Sequence, residues 1–212
     1  MGMNEKPVWV CFDLGGVLLE ILHTMEERLE LCDARARGLV LPKDVFPELT
    51  RLNVAYQRGL YSWKETRERL VSATGRFGFT ESDWDSIEEG IIVGEKPDAD
   101  DVVALCKARG YRLGVLSNTC ELHVEQFESL GFFEHLPAEY RVYSHRERVL
   151  KPDISAYRCF EERVAAESSS ILFFDDTPEN ISVAKELGWH AFYIPRGDPV
   201  LPHFERALAG FE

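Results

Sequence analysis

Val8-Trp9-Val10-Cys11-Phe12-Asp13-Leu14-Gly15-Gly16 is the stretch on which the fold turns. Five apolar, largely β-favouring residues run into a carboxylate and then two glycines. The run is too short for a helix and reads as a buried strand that stops in a loop. Three later stretches repeat the arrangement: residues 111–116 stop at Ser117-Asn118, residues 170–174 at Asp175-Asp176, and residues 191–194 at Pro195.

Helical patterns separate these runs. Residues 99–109 stop at Gly110, residues 121–130 at Gly131 and residues 178–187 at Gly188, each glycine being a helix-ending signal; residues 153–166 form a fourth pattern. Strands alternating with helices predict an α/β fold, a Rossmann-like parallel sheet covered on both faces. Residues 20–94 differ. Amphipathic helical pattern dominates over residues 22–36, 46–56, 62–73 and 82–92, broken at Pro42, Pro47, Gly59 and Gly75, and no strand is evident. The expectation is a core of residues 1–19 and 95–212 with a small α-helical cap inserted over residues 20–94.

The bulk numbers restrict function. With 212 residues, 45% of them hydrophobic, the chain suits one core domain with a modest insertion. The net charge of −13, with basic residues interleaved among acids, argues against a nucleic-acid binder. No run of about 18 apolar residues suggests a membrane span. The five cysteines, Cys11, Cys32, Cys106, Cys120 and Cys159, are scattered and form no CxxC, which fits reduced thiols in a cytoplasmic protein. Nothing in the sequence sets a particular histidine beside a particular cysteine. His123, His135, His145, His190 and His203 show no ligand spacing.

In an open parallel sheet, ligands bind beyond the carboxyl ends of the strands. Here those ends carry a carboxylate with glycines, a hydroxyl with an amide, and paired carboxylates, and Lys151 adds a cation just before a helix. Asp13 and Asp176 are candidate ligands for magnesium, which takes a few carboxylates plus water and substrate phosphate. Aspartate can attack phosphorus, while Ser117, Asn118 and Lys151 hold the transferring oxygens. Each residue also has a plain structural reading. Asp13 suits a turn, Ser117-Asn118 and Asp175-Asp176 suit helix caps, and Lys151 suits a surface. Trp63 and Trp84 read as cap core, and Arg51, Tyr56 and Arg58 as solvated helix face.

The segments Phe12-Asp13-Leu14-Gly15-Gly16-Val17-Leu18, Val115-Leu116-Ser117-Asn118-Thr119, Leu150-Lys151-Pro152-Asp153 and Phe173-Phe174-Asp175-Asp176-Thr177-Pro178-Glu179-Asn180 resemble, in order, the four motifs of the haloacid dehalogenase-like hydrolase superfamily. Within it, the chain looks most similar to sugar-phosphate phosphatases of the α-D-glucose-1-phosphate phosphatase type. The resemblance implies that Asp13 is nucleophile and metal ligand and that Gly15 offers a backbone carbonyl to Mg2+. It further implies phosphate binding by Ser117, Asn118 and Lys151, and an acidic metal site at Asp176 with Asp175 in support. The implied partner is a small phosphorylated metabolite. One departure matters: most phosphatases of the superfamily carry a second aspartate, an acid–base group, where this chain has Gly15. Glu20 and His23 follow shortly after and are candidate substitutes. A 2-haloacid dehalogenase, using the same aspartate on carbon, and a non-catalytic binding protein are the competing readings. A sugar-phosphate mutase is weaker, because mutases need efficient proton handling.

Overall fold

Trp9 and Cys11 face one side of their strand, Val10 and Phe12 the other, and all four are buried. A strand buried on both faces must be central, and the computed structural model, which describes residues 8–211, places it there. In chain order the elements are β1 (Trp9–Phe12), β2 (Leu19–Ile21), α1 (Met25–Leu29), α2 (Phe46–Gln57), α3 (Trp63–Thr74), α4 (Glu81–Glu89) and β3 (Ile92–Glu95). Then come α5 (Ala99–Ala108), β4 (Arg112–Ser117), α6 (Glu121–Phe127), β5 (Arg141–Tyr143), α7 (Ser144–Glu147) and α8 (Ile154–Val164). The chain closes with β6 (Ile171–Asp175), α9 (Pro178–Glu186), β7 (His190–Tyr193) and α10 (Leu201–Ala209).

The main sheet has the order β5-β4-β1-β6-β7 and is parallel throughout. One face carries Val10, Phe12, Val115, Leu172 and Phe174 against residues of α5, α6 and α10. The other carries Cys11, Leu116 and Phe173 against α8 and α9. The expected α/β sheet covered on both faces is therefore what forms. Residues 1–7 and 212 of the expected core lie outside the described residues.

Several expectations need correction. The helical stretch does contain strands: β2 and β3 pair antiparallel and frame it. Residues 92–95 are consequently strand, and the last expected cap helix ends at Glu89. The expected helix over residues 22–36 is only five residues long. Thr24 caps it in a reciprocal box with Glu27, and after a short tight turn Asp33 adopts φ 52°, a left-handed conformation no helix continues through. The strand β5, with three residues, and the helix α10 complete the core without having been expected.

Between β2 and β3 the helices build their own apolar cluster, with Leu49, Leu52, Leu70, Phe79, Trp84 and Ile87 buried together. Trp84 donates its indole N–H to Thr74 Oγ1 at 3.0 Å, so the ring is held on both its apolar and polar sides. Arg51 pairs with its neighbour Glu48 as a surface residue should, at 2.6 Å. Tyr56, expected on the solvated face, is 3% exposed. Arg58 crosses from this helical layer to pair with Asp153 beside Lys151. No helix among the described residues is long and apolar enough to cross a membrane, and all five cysteines are unpaired.

Candidate active site

The central position of β1, flanked by β4 and β6, brings three strand ends to one edge. Asp13 follows β1 directly and donates its backbone N–H to Phe174 O at 2.9 Å, which fixes it beside Asp175 and Asp176. Carboxylate oxygens of Asp13, Asp175 and Asp176 lie within 4.8 Å of one another. Lys151 Nζ reaches Asp13 Oδ1 at 2.9 Å and Asp175 Oδ2 at 2.6 Å, and the lysine is 2% exposed.

Asn118 sets the lysine. Its side-chain N–H donates to Lys151 O at 2.8 Å, and its side-chain oxygen accepts from Lys151 N at 2.8 Å. The amide of Asn118 is thus a brace for the loop rather than a group aimed at a ligand, which corrects the role expected for its side chain. Ser144 braces the neighbouring residue in the same way, accepting from Thr119 N and donating to Thr119 O, both at 2.9 Å. Ser117 ends β4, is 3% exposed and lines a 90 Å3 cavity with Gly15, Asn118 and the cap residues Arg28, Asn53 and Gln57. Neither Ser117 nor Asn118 caps the next helix; Cys120 occupies that position.

The two consecutive aspartates differ. Asp175 is fully buried, and its oxygens accept from Lys151 Nζ, from Thr177 N at 2.8 Å, and from Asn180 Nδ2 at 2.9 and 3.0 Å. Those donors engage both its oxygens, so Asp175 holds the loop and the lysine. Asp176 is the open one. It takes a hydrogen bond from Thr177 Oγ1 at 3.2 Å and faces His23 Nδ1 at 3.8 Å and Arg196 Nε at 3.6 Å. The loop after β1 runs close against Asp176. Gly16 has φ +76°, and a Cβ there would sit 2.4 Å from Asp176 Oδ2. Only glycine satisfies both constraints.

The charges do not balance. Asp13 and Asp175 share Lys151, while Asp176 faces His23 and the exposed Arg196 at the rim. Burial pushes Asp13 up, as do Asp175 and Asp176, against the pull of Lys151, to about 7. Burial and Asp175 likewise raise Asp176. Burial alone would favour a neutral Lys151, but Asp13 and Asp175 outweigh it and hold the ammonium charged. Surplus negative charge in a buried, oxygen-rich pocket fits a hard divalent cation. The oxygen donors with capacity are Asp13, Asp176 and the Gly15 carbonyl, which accepts no hydrogen bond among the described residues.

Of the two substitutes considered for the missing aspartate, His23 reaches this cluster. Glu20 is exposed and lines a 470 Å3 cleft alongside Gly16 and His23. A second cluster lies under the cap. Glu88, Cys120 and His123 bring one oxygen, one sulfur and one nitrogen within 4.8 Å. The sequence set no particular histidine beside a particular cysteine, and the fold brings His123 to Cys120. The i, i+3 spacing of Cys120 and His123 was the available signal, and Glu88 comes from an element distant in sequence.

Comparison with known proteins agrees with this architecture. Haloacetate dehalogenase H-2 of Moraxella sp. (strain B) is 32% identical over 204 residues, covering 91% of this chain and 87% of that protein. Acyl-CoA dehydrogenase family member 10 of Mus musculus is 24% identical over 206 residues, covering 95% of this chain; the chain spans only 19% of that protein's length. A HAD family enzyme of Bacteroides thetaiotaomicron, solved in complex with magnesium and inorganic phosphate, superimposes with a TM-score of 0.75 at 21% identity, covering 91% of this chain and 96% of that one. The family profile described as haloacid dehalogenase-like hydrolase matches residues 9–188, and the chain belongs to that family of hydrolases.

Proposed function

We propose that this hydrolase is a magnesium-dependent phosphatase acting on a small phosphomonoester, with Asp13 as nucleophile. The observation that carries the reading is the charge of the site: three buried carboxylates against one buried lysine. Attack on a carbon–halogen bond needs one carboxylate and no metal. A second open carboxylate at Asp176 suits a bound cation. The likeness to an enzyme solved with magnesium and phosphate supports the same reading.

In this mechanism Asp13, Asp176 and the Gly15 carbonyl hold magnesium, which when bound neutralises the phosphate and lets an anionic nucleophile approach. Asp13 attacks phosphorus and the ester oxygen leaves, taking a proton from solvent to depart as the alcohol. Lys151 and the Ser117 hydroxyl hold the phosphoryl oxygens, together with the Asn118 backbone N–H. Water then breaks the aspartyl-phosphate, releasing phosphate and restoring Asp13. His23, set against Asp176, takes the proton that an aspartate at position 15 would have handled. Asp175 and Asn118 keep Lys151 in place. Arg28, Asn53 and Gln57 present polar groups across the small cavity from Ser117, which suits the hydroxyls of a sugar phosphate.

The relation to haloacetate dehalogenase H-2 favours a second reading, dehalogenation by Asp13 without metal. One experiment separates the two. Phosphate release from sugar phosphates and p-nitrophenyl phosphate is measured with magnesium or with EDTA, and halide release from haloacetates beside it. Magnesium-dependent phosphate release that Asp13→Asn abolishes supports the phosphatase. Halide release insensitive to EDTA, without phosphate release, overturns it.

A further inference from the structure

The polar cluster beneath the cap is chemically unlike the aspartate site. Glu88 stands in the last turn of α4, on the cap; Cys120 and His123 stand at the start of α6, on the core. All three are buried. Cys120 Sγ lies 3.4 Å from Glu88 Oε1, and His123 Nε2 lies 3.4 Å from the same oxygen. Zinc bonds of about 2.0–2.3 Å in a tetrahedron hold such ligand atoms roughly 3.3–3.6 Å apart. The two separations from Glu88 Oε1 therefore already match those of a zinc site, and the sulfur and the imidazole nitrogen lie within 4.8 Å of each other.

A separate observation points into the same space. Tyr56, on α2 of the cap, is 3% exposed, and its hydroxyl has no hydrogen-bond partner. It lies against Cys120 and Glu88. Leaving a buried hydroxyl without a partner is unfavourable. It gains an acceptor once Cys120 becomes a thiolate.

We propose that Glu88, Cys120 and His123 form a second metal site, for zinc or a similar thiolate-binding divalent ion, that ties the cap to the core. The donor set of sulfur, imidazole and carboxylate selects such an ion over magnesium. On binding, Cys120 loses its S–H proton to solvent as the sulfur–metal bond forms. His123 gives the Nε2 lone pair, moving its remaining proton to Nδ1 and giving up its 3.1 Å contact with the Glu88 carbonyl. Glu88 gives one carboxylate oxygen, so thiolate and carboxylate together cancel the dication. Arg28 is the cation that otherwise faces Glu88, and the metal competes with it. The fourth position opens toward the cavities that His123 and Glu88 line. Occupancy joins α4 of the cap to α6 of the core.

Cobalt(II) is the probe, because a thiolate ligand adds a sulfur-to-cobalt charge-transfer band that oxygen ligands cannot produce. The expected result is a band that saturates at one ion per chain. It persists in Asp13→Asn and Cys159→Ser and vanishes in Cys120→Ser. His123→Gln and Glu88→Gln should weaken cobalt by more than the 10–100-fold typical of an outer partner. Zinc should raise the melting temperature of the wild type and slow amide exchange in α4. If Cys120→Ser does not fold, His123→Gln decides, since unchanged affinity there overturns the site. Absence of the band in wild type, or its survival in folded Cys120→Ser, also overturns it. None of these readouts depends on phosphatase activity.

Discussion

The acids of the cap and the acids at the strand ends are built on opposite principles. In the cap, Asp83 is 5% exposed, forms an ion pair with Arg37, and accepts from Thr80 in a helix-capping box. Burial pushes its carboxyl up, but the Arg37 and Thr80 contacts outweigh burial and hold it below the ordinary range. Asp85 likewise accepts from Arg67 at 2.8 Å and from the Trp63 indole at 2.8 Å. At the strand ends, Asp13 and Asp175 share one lysine, and Asp13 and Asp176 are pushed upward. The cap's charges serve the fold. Those of Asp13 and Asp176 oppose the fold that buries them, the mark of a place shaped for a ligand.

The sharpest way to break that contrast is Asp13→Asn. Phosphate release should fall by roughly 10⁴-fold or more, as expected when a nucleophile is lost. The metal-free protein should nevertheless melt at a higher temperature than wild type, because one buried like charge is gone. The pH dependence has a definite sign. Asp13 titrates near 7 when folded and near 3.9 when unfolded, so its ionisation destabilises the metal-free fold above about pH 4. Metal-free wild type should gain stability as pH falls from about 7 toward 4, and Asp13→Asn should lack that gain.

His23→Gln tests the proton carrier. The variant keeps a polar side chain beside Asp176 but cannot take a proton, and kcat should drop roughly 10²-fold or more. Rapid-quench kinetics should place the loss in breakdown of the intermediate rather than in its formation. Gly16→Ala should have a smaller effect. Its Cβ meets Asp176 and its φ is +76°, so destabilisation of about 1–3 kcal/mol and weaker magnesium binding are expected, read by denaturation and by titration.

Arg37→Met is the mildest. Arg37 is 41% exposed, so its pair is partly screened, and only a small loss of stability is expected at neutral pH. A carboxyl held below its unfolded value stabilises the fold above that value and loses the effect as pH falls through its folded value. Wild type therefore sheds this contribution below about pH 4. Arg37→Met and wild type should converge in stability there, as measured by acid titration of the melting temperature.

Much of this was legible in the sequence because the chemistry sits where strands stop. The runs ending at Asp13, Ser117 and Asp175 are apolar enough to announce themselves, and residues one position past a buried strand have nowhere to go but the sheet's edge. The short elements were not legible. Three residues of β5 carry no period, and β2 and β3 include Glu20, Gly94 and Glu95, which look like loop until they pair. The resemblance set Asp176 apart from Asp175, but the cause was hidden, since it depends on which oxygen Lys151, Thr177 and Asn180 reach. Glu88 meets Cys120 and His123 across 32 and 35 residues, through the docking of the cap, and no local pattern encodes that.

The most direct test of the account is to trap the intermediate. Enzyme mixed with a phosphomonoester labelled in its phosphate is quenched in acid within a turnover, and the labelled peptide is mapped. The account predicts hydroxylamine-sensitive label on Asp13, formed with magnesium, absent with EDTA and absent in Asp13→Asn. Phosphate release in the absence of any label on Asp13, or label that forms equally well in EDTA, would contradict it.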